Sequence, residues 1–152
     1  MPSMTTAGPF RRSFWLGETM TDVFPFELVR LTDHENEVRV VVASVDDAAF
    51  WEAEIAVTSM FVKGRTLLML SREKLEAWSR ALDRLALGEN VTWMEQTSGP
   101  TVRIELDGER DCPEVIVEDE SISMVTVRVP IALDAGWIAD QQERVRRFIE
   151  QC

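Results

Sequence analysis

The 152-residue sequence has one histidine, two cysteines and seven glycines, and its 16 basic residues are outnumbered by 27 acidic ones. Each shortage removes a class of chemistry. A triad-type hydrolase needs a base beside a serine or cysteine nucleophile, yet His34 sits in the polar stretch Asp33-His34-Glu35-Asn36 and no Gly-x-Ser-x-Gly elbow occurs. Zinc sites need grouped Cys and His ligands, and His34, Cys112 and Cys152 share no such spacing. No glycine belongs to a Gly-x-Gly-x-x-Gly or Walker loop that could cradle a phosphate. Neither a metal nor a cofactor is expected. Apolar runs such as Val40-Val41-Val42-Ala43 fall far short of the roughly 20 residues that span a bilayer. No secretory apolar region follows Arg11-Arg12. With so little cysteine, a soluble protein of the reducing cytoplasm, away from membranes, is the expectation.

What is abundant is negative charge. The formal net charge is −11, a field that repels nucleic acid and attracts basic proteins. Eight carboxylates face only Arg110 between Glu105 and Glu120, a local net charge of −7. Asp107, Glu109, Asp111, Glu114, Glu118, Asp119 and Glu120 are therefore candidate partner-binding residues. Glu52 and Glu54 join them. As alternate residues of a strand they share a face about 7 Å apart, a spacing also compatible with a hard cation or acid/base work. Solvation of an outer sheet face is the simpler role for such a pair.

Residues 1–20, with Pro2, Gly8 and Pro9 among Ser and Thr, follow neither period and read as a flexible leader in which Phe14-Trp15-Leu16 is a short docking candidate. Residues 21–152 read as a single domain. Val23–Leu31 and Glu37–Val45 flank a polar turn, and Trp51, Ala53, Ile55 and Val57 alternate with polar residues, the period of a half-buried strand. Arg65–Leu70 follows Lys63-Gly64. Ser71 is placed to cap a helix in which Leu75, Trp78, Leu82 and Leu85 recur every three or four residues until Gly88. Four short strands are expected near Val91–Gln96, Thr101–Leu106, Glu114–Glu118 and Ile122–Val129. Asp134 is placed to cap a closing helix striped by Trp137, Ile138, Val145, Phe148 and Ile149. Trp51, Trp78, Trp93 and Trp137 all fall at core positions. No repeated βαβ unit appears. The expected class is α+β, a mostly antiparallel sheet of about eight strands with one internal and one C-terminal helix packed on it.

The run Ser59-Met60-Phe61-Val62-Lys63-Gly64, the strand after it, the helix Leu75-x-x-Trp78-x-x-x-Leu82-x-x-Leu85, the short strands and a closing helix with Trp137 and Phe148 resemble two groups of small acidic bacterial proteins. One is an uncharacterised actinobacterial family; the other is the WapI-type immunity family. The likeness runs from about Phe24 to the end. It implies a cytoplasmic protein that neutralises a contact-dependent toxin, commonly a nuclease, and it transfers no functional residue. Acidity suits that role independently, because a nuclease site must be basic to hold phosphate. A non-catalytic binding module for a basic protein such as that toxin is thus the leading expectation. A structural or regulatory subunit and a carboxylate enzyme centred on Glu52 and Glu54 are its rivals.

Overall fold

The computed structural model describes residues 23–46, 50–95, 98–120 and 122–151. Among the described residues there are eight antiparallel strands and two helices, an α+β fold, and the strands divide into two sheets of four. In chain order these are β1 (Phe26–Thr32), β2 (Glu37–Val45), β3 (Trp51–Thr58), β4 (Lys63–Leu70), α1 (Arg72–Ala86), β5 (Val91–Trp93), β6 (Thr101–Glu105), β7 (Glu114–Asp119), β8 (Val125–Pro130) and α2 (Trp137–Gln151). Each sheet is a meander in which sequential strands are neighbours. The order ββββα therefore occurs twice, although no repeat is visible in the residues. Among the described residues no helix is long and apolar enough to cross a membrane.

The first sheet follows its alternation. Val38, Val40 and Val42 of β2 and Trp51, Ala53, Ile55 and Val57 of β3 are buried on one face, while Arg39, Glu52 and Glu54 occupy the other. A bulge between Glu27 and Val29 interrupts β1, and Leu28 and Val29 are both buried. Ser71 caps α1 as expected: its hydroxyl accepts from the Lys74 amide at 3.1 Å. Gly88, at φ +86°, turns the chain out of the helix with its amide on the Leu85 carbonyl. Trp78 lies on the buried stripe of α1, its ring 4.8 Å from that of Trp93, whose indole N–H donates to the Lys74 carbonyl at 2.8 Å.

The helices cross over. The helix that follows the first sheet, α1, packs on β5 of the second, and α2 returns to pack on β1 of the first. Phe148 of α2 is fully buried between Phe26 and Trp51, each ring centroid 5.2 Å away. The stripe of α2 differs from expectation at two places. Ile149 is exposed, and the buried position one turn before Val145 belongs to Gln141. Its amide accepts from the Arg30 N–H at 2.9 Å and donates to the Arg30 carbonyl at 2.8 Å, two bonds such as a neighbouring strand would supply. Gln141 thus closes the outer edge of β1. Asp134 forms a turn ahead of α2, accepting from the Gly136 amide at 3.0 Å. One continuous apolar core, from Phe26 to Phe148, draws on both sheets and both helices.

Candidate functional site

The acidic segment occupies β6, β7 and the turns around them, and the fold divides its carboxylates by role. On the outer face of the second sheet Arg103, Ile116 and Arg128 stand side by side on three strands. The arginine stems flank Ile116, which is buried although it faces away from the main core. Their guanidinium groups reach the carboxylates on either side. Arg103 meets Glu105 at 3.2 Å and Glu118 at 3.4 Å, and Arg128 meets Glu105 at 3.2 Å and also Glu114. The Glu114 side chain is only 5% exposed. Gly108 lies against it, where an added Cβ would come 2.5 Å from the Glu114 Cγ and 2.6 Å from the Cys112 carbonyl oxygen. Only glycine fits this position.

Asp119 is also used internally. It accepts from the Thr66 hydroxyl of β4 at 3.0 Å, from the Ser123 hydroxyl at 2.8 Å and from the Ser123 amide at 3.1 Å. The Ser123 hydroxyl is the main reason its carboxyl is held below the usual range. Of the candidate residues in the segment, Asp107, Glu109, Asp111 and Glu120 remain exposed and form no ion pair among the described residues. The first three share the β6–β7 loop. Glu120 lies just past the far end of β7, about 20 Å from Glu114 along the strand.

The fold brings a second acidic turn beside that loop. Asp33, in the β1–β2 turn, accepts from the amides of Glu35 at 2.7 Å, Asn36 at 2.8 Å and Ala132 at 2.8 Å. The Asn36 side-chain amide donates to the Pro130 carbonyl at 2.7 Å, and the next residue, Ile131, donates its N–H to the Pro113 carbonyl at 3.0 Å. Partial burial pushes the Asp33 carboxyl up, but the amides of Ala132, Asn36 and Glu35 outweigh it and hold the group below the usual carboxylate range. Exposed Glu35 and His34 thereby sit at the same end of the molecule as Asp107, Glu109 and Asp111. The β1–β2 turn was not among the sequence candidates. Asp33 followed three residues later by Asn36 marks a turn, but not the strand it grips.

Glu52 and Glu54 lie elsewhere, on the outer face of β3. Glu52 accepts from the Ser44 hydroxyl at 3.2 Å, and Glu54 lies 3.9 Å from Arg65 of β4. Among the described residues, no group of three or more His, Cys, Asp or Glu side chains is placed to hold a metal ion. Phe14-Trp15-Leu16 and Cys152 lie outside the described residues. A feature the sequence did not reveal is an apolar cleft of about 270 Å³ where the β3–β4 and β7–β8 hairpins meet, lined by Val57, Val62, Thr66, Val117, Val125 and Val127. Near it the hairpin tips expose Met60, Phe61, Ile122 and Met124.

Residues 26–152 match DUF5959, a family of unknown function, and the chain belongs to that family. No curated protein matches the sequence.

Proposed function

We propose that this chain is a non-catalytic protein-binding module, of the bacterial immunity type, whose acidic end docks on the basic surface of a partner such as a nuclease toxin. One observation carries the reading. Glu35 from one sheet and Asp107, Glu109 and Asp111 from the other lie at one end, exposed and without ion pairs among the described residues, while Glu105, Glu114 and Glu118 are paired with Arg103 and Arg128. Arginines were within reach of the segment, and the fold spends them on the sheet face. Exposed Arg110 in the same loop offsets one of these four carboxylates, and the three negative charges that remain set up a local negative potential within the net charge of −11. Such a surface accelerates encounter with a positively charged partner and selects against acidic ones.

The test begins with affinity capture from the native cell, followed by association kinetics with the captured protein. Reversing Asp107, Glu109 and Asp111 to Lys is expected to slow association roughly tenfold or more at low salt, with a smaller change in dissociation. Reversing Glu73 and Glu76, exposed on α1, controls for net charge and is expected to do much less. Equal slowing by both sets would reduce the effect to total charge. An association rate indifferent to salt would remove the acidic end from the interface.

A further inference from the structure

We propose that the outer edge of β4, unpaired among the described residues, is a self-association site, pairing antiparallel with the same strand of a second copy about a two-fold axis at Thr66. The argument starts from how the sheet edges are treated. Of the four edge strands, Gln141 closes β1, α1 packs on β5, and β8 ends in Pro130, which has no N–H to offer. The register of β4 with β3 runs without a break from Lys63 to Leu70, so its far side is a regular row of backbone groups. The Lys74 ammonium donates to the Met69 carbonyl at 2.9 Å. That bond marks Met69 as pointing away from β3, and by the two-residue period Lys63, Arg65 and Leu67 point the same way. No other backbone or side chain among the described residues satisfies the outward N–H and C=O of Arg65 and Leu67.

The side chains along this edge are self-complementary. Met60 is 100% exposed, Phe61 95%, Leu67 70% and Met69 46%, with Lys63 and Arg65 between the two apolar pairs. Antiparallel pairing centred on Thr66 sets Arg65 opposite Leu67 of the second copy and Lys63 opposite Met69. It brings the Met60-Phe61 tip to the strand end that carries Met69. The Lys74 ammonium already holds the Met69 carbonyl, which confines backbone pairing to Arg65 and Leu67, where the arginine stem covers the apolar neighbour. Arg65 and Leu67 are both outward-facing residues, so this register gives four new backbone hydrogen bonds across the axis. Thr66 meets its own copy as the intervening non-hydrogen-bonded pair.

Sedimentation of the full chain under reducing conditions, over a range of concentration and salt, tests the proposal. The expected result is a monomer–dimer equilibrium that tightens as salt rises, because two chains of like charge are pairing through apolar and backbone groups. This salt response is opposite in sign to that of the acidic end with a basic partner, so the two proposals fail separately. Leu67→Lys is expected to weaken the dimer about tenfold or more. Arg65→Pro removes only an N–H that points away from β3, which an edge strand tolerates. It is expected to abolish pairing while the thermal melt of the monomer is nearly unchanged. A chain that stays monomeric throughout, or a dimer indifferent to both substitutions, overturns the proposal and leaves the edge to another protein's strand.

Discussion

At the scale of the residue, the clearest lesson comes from a carboxylate that holds two segments together. Asp33 accepts three amides, one of them from Ala132, ninety-nine residues away. These donors favour the charged form, so its folded pKa lies below the unfolded value. A group shifted in that direction adds stability that is fully present above its unfolded pKa, near 4, and is lost as pH falls through the lower folded value. Asp33→Asn keeps one acceptor oxygen and turns the other into a donor that faces an N–H. It is expected to cost about 1–2 kcal/mol at neutral pH, and the deficit should shrink below pH about 4 as the wild type loses its own advantage. Urea melts of both proteins at neutral and acid pH measure this. A deficit that persists undiminished at acid pH would show that the charge of Asp33 is not what matters.

Elements tell a different story, because their existence was legible and their partners were not. Ser71, the Leu75-Trp78-Leu82-Leu85 interval and Gly88 mark α1 through local hydrogen bonding and period, forces that act within a few residues. The β3 alternation from Trp51 to Val57 is equally local. The split into two sheets depends on which edges pair, and side-chain periodicity is silent about that. Gln141 shows the limit well. Apolar periodicity puts Ile149 on the buried face and is silent about Gln141. In the fold Gln141 is 1% exposed because it bonds the edge of β1. Gln141→Leu, similar in size, is expected to destabilise by about 1–2 kcal/mol, since both backbone groups of Arg30 lose a partner at a part-buried edge. Hydrogen exchange at the Arg30 amide should accelerate beyond what the global loss explains. An equal or greater stability for the leucine variant would show that water or packing replaces both bonds.

At the scale of the whole molecule, charge that looks continuous in the chain is parted by the fold. The stretch from Glu105 to Glu120 reads as one acidic surface, yet Arg103 and Arg128, both outside it, pair with Glu105, Glu114 and Glu118. Asp107, Glu109 and Asp111 are left at one end, joined by Glu35 from a turn that linear counting could not connect to them. Like charges gathered without partners oppose folding, so if they are kept for binding their removal should stabilise the protein. Changing Asp107 and Asp111 to Asn and Glu109 to Gln is expected to add about 0.5–1 kcal/mol at low salt. The Asp111 backbone, at φ +57°, is one that asparagine accepts readily. The gain should fade at high salt, where the repulsion is already screened. Glu73→Gln with Glu76→Gln should do the reverse, because Glu73 sits in the first turn of α1 and interacts favourably with the helix dipole. Thermal melts of the three proteins at two salt concentrations give the comparison. If the triple variant melts lower than the wild type, these carboxylates support the loop structurally, and their exposure is no longer an argument for a partner.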